Sequence, residues 1–189
     1  TGMKILGLML CLLALPVLAA QRVVSIGGDV TEIVYALGAG DQLVGRDSTS
    51  FRPAQATTLP DVGYMRQLNS EGILALKPTL VLTNEQAKPS QVLTQLSGVG
   101  VKVVDVTGEN SLSAIAQKIN TIAAALNETA AAQPLLRQVS QQIAAIPSSR
   151  VAVKVLYILA NSGMNTMVAG NQTAADVAIR SAGLVNVMG

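Results

Sequence analysis

From Arg22 onward the apolar positions fall into short β-branched runs separated by helical periods. Val23-Val24-Ser25-Ile26, closed by Gly27 and Gly28, has the pattern of a strand. Asp29 or Thr31 can cap the next segment, and Thr31 to Leu37 keeps a helical period with Gly38 as its stop. Leu43 to Arg46 is a second strand. Asp47 to Asn69 is a long connection broken by Pro60 and Gly63, and connections of that length in compact domains are usually functional. Asn69 or Ser70 caps a helix with Glu71 in its first turn, running to Lys77 before Pro78. Thr79 to Thr83 is a buried type of strand, Pro89 opens a helix through Leu96, and Val101 to Val106 is a further strand. Strand and helix thus alternate four times, which argues an α/β layer with a parallel sheet over residues 21–110.

From Ser111 to Ile146 the strand pattern stops. Leu112, Ile115, Ile119, Ile122 and Ala123 keep a helical period. Pro134 fits the first turn of a second helix carrying Leu135, Leu136, Val139, Ile143 and Ile146. Roughly 17 helical residues reach about 25 Å, enough for a helical connection over 111–147 to run from one lobe to another. Val151 to Leu159 then reads as one strong strand, Asn161 to Asn171 as a loop with Gly and Met, and Thr173 to Ala182 as a helix ended by Gly183. One strand and one helix cannot bury a sheet. Residues 148–189 are therefore expected to begin a second α/β lobe that is cut off here.

Composition narrows the chemistry. Half of the 189 residues are apolar but only 2% are aromatic, so the core is built from Ala, Val, Leu and Ile. A formal charge of +2, without a basic run, gives no electrostatic case for nucleic acid. The chain has no histidine, which removes Ser-His-Asp and Cys-His catalysis and every His-based metal site. Its one cysteine, Cys11, lies in a segment (residues 1–20) that reads as a signal peptide. Lys4 is the charged region, Ile5 to Leu15 the apolar one, and Ala19 or Ala20 the cleavage position. A lipid anchor on Cys11 would want small residues where Met9 and Leu10 stand. Export to a bacterial periplasm is the expectation.

The long connection holds Leu59-Pro60-Asp61-Val62-Gly63-Tyr64-Met65-Arg66-Gln67-Leu68-Asn69. A tyrosinate is a hard anionic donor that suits ferric iron, and Tyr is a known axial ligand of haem. Arg66 can favour the phenolate and pair with a carboxylate of a ligand. On these residues alone the stronger reading is a loop tyrosine that packs its ring and hydrogen-bonds its hydroxyl. Gly27 and Gly28 precede a helix, but neither a Walker lysine nor a GxGxxG follows. A secreted enzyme would have Asp29, Glu32 and Asp47 as acid/base groups, with no second element fixing their separation. Glu71 is a helix-start carboxylate.

The runs "RVVSIGGDVTEIVYALGAGD", "RDSTS", "LPDVGYMRQLNSEGILALKPTLVL" and "NTMVAGNQTAADVAIRSAG" together resemble the haem-binding periplasmic proteins of bacterial ABC importers, of the HmuT type. The "LPDVGYMRQLN" run carries the haem resemblance, since "EGILALKPTLVL" recurs in corrinoid and siderophore binders. The resemblance implies two parallel-sheet α/β lobes joined by a long helix, the class III periplasmic-binding-protein fold, and no enzymatic activity. It implies ferric haem b as transported ligand, with Tyr64 on the iron and Arg66 on a propionate. A second axial ligand, a His in some members, would fall at Asn161, a poor iron ligand; Met164 and Met167 beside it would be apolar contacts to the porphyrin or simply core. Glu71 would pair with an arginine of the inner-membrane permease, which works with its ATPase, downstream of an outer-membrane haem receptor system. Another iron chelate or a corrinoid is the alternative cargo, and a ligand-sensing domain of a surface receptor is an alternative of another class.

Overall fold

The computed structural model describes residues 20–149, 151–163 and 165–189. Nearly all of the segment read as a signal peptide, Cys11 included, and Met164 lie outside the described residues; so does the side chain of Asn161.

Four strands, β1 (Val23–Ile26), β2 (Leu43–Arg46), β3 (Leu80–Asn84) and β4 (Lys102–Val106), form one parallel sheet in the order β2-β1-β3-β4. Side chains alternate across a strand. Val23, Leu80 and Leu82 therefore pack on one face with Val30 and Val34 of helix α1 (Gly28–Ala36) and Ile119 and Ile122 of α4 (Leu112–Leu126). Val24, Ile26 and Val81 pack on the other with Ile73 of α2 (Ser70–Leu74) and Val92 and Leu96 of α3 (Ser90–Gly98). A sheet covered on both faces needs apolar strands without polar alternation, which is why these runs read so clearly.

Helix α4 ends at Asn127, held in the left-handed region at φ 59°, and α5 (Thr129–Ala144) turns back beside it. Ala132, Leu135, Leu136 and Val139 pack into the first lobe's core, so the helical connection lies against that lobe for much of its length. Pro134 is the sixth residue of α5, not in its first turn as the sequence suggests. The run Thr129-Ala130-Ala131-Ala132-Gln133 starts the helix earlier, with buried Ala132 anchoring it, and the helix forgoes one hydrogen bond at the proline.

Three further expectations are corrected. Neither Asp29 nor Thr31 caps α1; its N-cap is Gly27 at φ 112°, because the two side chains are drawn to partners outside the helix. Helix α2 stops at Leu74, short of Lys77, which adopts φ 49°. The run Val151 to Leu159 is two strands: β5 (Lys154–Val155) pairs in parallel with β8 (Val185–Asn186), and β6 (Ile158–Ser162) pairs antiparallel with β7 (Asn165–Val168). The expected loop after Asn161 is thus largely a hairpin turning at Gly163 (φ 63°). Helix α6 (Ala174–Ser181) is capped by Thr173, whose side chain accepts from the Asp176 N–H, and Gly183 at φ 77° follows its end. Val151, Leu156, Ile158, Leu159 and Val187 are exposed apolar residues in this second lobe. Among the described residues no helix is long and apolar enough to cross a membrane.

Candidate functional site

In this strand order the chain leaves β1 toward β2 on one side and later returns to β3 on the other. The crevice at the carboxyl ends of β1 and β3 is the usual ligand position in such sheets. Gly27 and Asn84 stand at those strand ends, and Asp47 follows the end of β2 beside them. The Asp47 carboxylate is fully buried and accepts four hydrogen bonds: Oδ1 from Gly27 N (3.0 Å) and Ser50 Oγ (2.6 Å), Oδ2 from Thr49 N (3.1 Å) and Thr49 Oγ1 (2.7 Å). Behind it, Thr31 Oγ1 lies 2.7 Å from Ser50 Oγ and 2.6 Å from Ser25 Oγ, all buried. Asp47 therefore fastens the long connection to the end of β1. It has no free lone pair for acid/base work.

The connection continues as a rudimentary fifth strand. Arg46 N donates to Pro60 O (3.0 Å), Val62 N to Arg46 O (2.9 Å) and Ser48 N to Gly63 O (2.9 Å). Val62 and Leu68 are buried on the α2–α3 face and act as its apolar anchors. Between them Gln67 N donates to Tyr64 O (2.8 Å), which closes a four-residue turn with Met65 and Arg66 at its centre. On the far side Lys88 N donates to Met65 O (2.7 Å) and Leu68 N to Lys88 O (2.9 Å). The turn is thus clamped by backbone from two neighbouring loops. Tyr64 is 44% exposed, and its phenol oxygen makes no hydrogen bond among the described residues. Phe51, 61% exposed, is a second uncovered aromatic on the same connection.

Arg66 projects from the turn and donates from Nη2 to Gln86 Oε1 (3.2 Å). Gln86 Nε2 donates to Gly108 O (3.0 Å), and Gln86 N to Asn84 Oδ1 (2.9 Å). Asn84 Nδ2 donates to Asp29 (3.2 Å to Oδ2), and Lys118 Nζ of α4 pairs with the same carboxylate oxygen at 2.7 Å. A polar rail therefore runs from the Tyr64 turn, across the strand ends, to α4. Glu32 is exposed on α1, apart from this rail. Composition could not reveal Gln86 or Asn84, since their partners are distant in sequence.

The remaining predicted positions are spread out. Glu71 is exposed in the first turn of α2; its N–H is capped by Asn69 Oδ1 at 2.8 Å. Asn161 lies on β6, and Met167 on β7 is 57% exposed. The two lobes touch through Asn110 Nδ2, which donates to Gln172 O (3.4 Å), and an apolar crevice lined by Leu112, Ile115, Val177 and Ala178. Near it, buried Asp176 has its carboxyl held below the ordinary value, first by the hydrogen bond from Asn186 Nδ2 (2.9 Å), then by Gln172 N and Arg180; burial opposes them. Burial raises the Tyr35 phenol on α1. Among the described residues no group of three or more His, Cys, Asp or Glu gathers to hold a bare metal ion.

A family profile described as periplasmic binding protein matches residues 23–189. The chain is similar to the apo form of the periplasmic haem-binding protein RhuT from Roseiflexus sp. RS-1, with a TM-score of 0.84 and 39% identity over 89% of this chain and 66% of that one. It is also similar to the periplasmic haem-binding protein BhuT in complex with two haems, with a TM-score of 0.83 and 36% identity over 90% and 68% of the two chains. The vitamin B12-binding protein of Yersinia pestis is 41% identical over 96 residues, 51% of this chain and 34% of that protein. The chain thus spans about two thirds of the RhuT chain and matches about a third of the vitamin B12-binding protein. The solved haem-binding protein HmuT is 23% identical at a TM-score of 0.73, a likeness of fold.

Proposed function

The chain belongs to the periplasmic binding protein family, and from that membership we propose that it captures haem between two α/β lobes and hands it to an inner-membrane ABC permease. The observation that carries this reading is the Tyr64 turn: an uncommitted phenol, half exposed, on a turn clamped from both sides, with a guanidinium two residues on. A cargo that brings its own iron in a porphyrin needs one anionic oxygen from the protein, and Tyr64 offers it. Ferric haem b is the proposed form, because a phenolate prefers the harder oxidation state. Arg66 serves a propionate from its place beside Gln86. The β6–β7 hairpin, with Asn161 on one strand and Met167 on the other, supplies the opposing face, with Met167 as an apolar contact and Tyr64 as the protein ligand of the iron. Glu71 meets the permease, which acts with its ATPase, and an outer-membrane haem receptor system supplies the cargo.

The test is a hemin titration followed in the ultraviolet and visible. The protein should give a high-spin ferric spectrum with tyrosinate charge transfer, and Tyr64→Phe should keep the fold but lose that band and most of the affinity. Unchanged spectrum and affinity in Tyr64→Phe would refute the assignment. The identity to vitamin B12-binding proteins favours a corrinoid as the second reading. Tight cyanocobalamin binding that survives Tyr64→Phe, with only free-hemin absorbance in the first titration, would select it.

A further inference from the structure

We propose that Asp61 is the positioning residue for Tyr64, and that its carboxylate sets where the phenol points. This rests on Tyr64 being the iron ligand. Asp61 makes contacts on both sides of the corner that leads into the turn. Oδ1 accepts from Gly63 N (2.8 Å) and Ser48 Oγ (3.0 Å); Oδ2 accepts from Arg46 Nη1 (2.8 Å). Gly63 is the residue before Tyr64. Its N–H is held by Asp61 and its carbonyl by Ser48 N at 2.9 Å. Both polar groups of that residue are thereby fixed at φ +99°, a conformation that side-chain-bearing residues rarely adopt. The next Cα, that of Tyr64, has its direction set by this corner.

Arg46 makes the arrangement rigid rather than merely local. Its side chain is 13% exposed against 40% for Asp61, and its Nη1 also donates to Asp47 O at 3.2 Å. Arg46 Nε is buried with no partner. The guanidinium is therefore oriented by Asp61 and the Asp47 carbonyl, and Asp61 connects the Tyr64 corner to the same strand end that Asp47 fastens. Metal–ligand bonding is short-ranged and directional, so a displacement of the phenol by about 1 Å loosens a site that this geometry would otherwise make tight.

The experiment compares Asp61→Ala, Asp61→Asn and Tyr64→Phe in hemin titrations and in hydrogen exchange of the haem-free protein. Asp61→Ala should weaken hemin binding at least about tenfold and displace or broaden the charge-transfer band. It should also speed exchange at the Gly63 and Ser48 amides. Asp61→Asn keeps a carbonyl oxygen for Gly63 N but turns its amide toward the Arg46 guanidinium, so its band and affinity should fall between those of the wild type and of Asp61→Ala. Should Asp61→Ala fail to fold, Gly63→Ala perturbs the same corner through the backbone and should lose the band likewise. Wild-type spectrum and affinity in Asp61→Ala, or in Gly63→Ala if that variant stands in, overturn the proposal while Tyr64→Phe still loses the band. If Tyr64→Phe itself binds hemin normally, the reading of Tyr64 as ligand fails instead. The exchange data then decide the positioning claim: unchanged Gly63 protection in Asp61→Ala overturns it.

Discussion

Replacing Asp47 by alanine removes the acceptor of four hydrogen bonds at one stroke. The four are unequal. The Gly27 N–H is buried and has no other acceptor, and a stranded donor of that kind costs about 1–3 kcal/mol. The Ser50 hydroxyl is fully buried but can turn toward Thr31 Oγ1, 2.7 Å away, so its loss is smaller. The Thr49 groups are partly exposed and recover water. Removing a buried carboxylate also returns some desolvation cost. The balance is a loss of about 2–4 kcal/mol, or roughly 5–15 °C in Tm for a chain of this size. Asp47→Asn keeps one acceptor oxygen for Gly27 N and Ser50, turns its amide toward Thr49, and should cost about half as much. Urea denaturation followed by far-ultraviolet circular dichroism measures both, with the slope checked for constancy. A loss below about 1 kcal/mol in Asp47→Ala would sink the argument that this carboxylate fastens the connection to β1.

Three other outcomes are expected. Arg66→Ala should weaken hemin binding by less than Tyr64→Phe does, since an exposed ion pair contributes about 0–1 kcal/mol; an equal loss in the two variants would contradict this. Glu71→Arg should leave hemin binding intact but slow transport or permease-stimulated ATP hydrolysis, because like charges across an interface repel; normal rates in folded, loaded protein would leave Glu71 as a helix-start carboxylate only. The Asp176 carboxyl is held below its ordinary value of 3.8, so the stability it contributes is fully present above that pH and is lost as pH falls through the lower folded value. The Tm advantage of the wild type over Asp176→Asn should therefore shrink as the pH is taken from 7 to about 3, and a constant advantage would oppose the assignment.

The first sheet was legible because its two central strands, β1 and β3, are buried along their whole length, so Val23–Ile26 and Leu80–Asn84 stand out as apolar runs between glycine and proline breaks. Tyr64 and Arg66 are candidates by residue type and spacing alone. What holds them was not legible. Asp47, Gln86 and Asn84 act on residues 20 or more positions away, and no local pattern encodes such partners. Asp61 left one usable signal: an aspartate two residues before a glycine is an Asx-turn pattern. Asp29 and Thr31 were misread as caps because Lys118, Ser25 and Ser50 compete for their oxygens. The strand over Val151 to Leu159 was misread for a related reason. Propensity favours extension throughout, and only the choice of two different partners, β8 and β7, divides it.

The strand order carries a consequence for how the site comes into being. Closing a loop costs entropy that grows as the logarithm of its length. Gly27 meets Asp47 across 20 residues, whereas Arg22 meets Thr79 across 57, and the longer closure costs about 0.9 kcal/mol more. The two-strand units β1-α1-β2 and β3-α3-β4 assemble from near neighbours; the Tyr64 turn belongs to the segment strung between them. That turn takes its final shape when the units dock, since one clamp comes from Ser48 and the other from Lys88. The proposed iron-binding phenol therefore depends on both units being in place, although it belongs to neither.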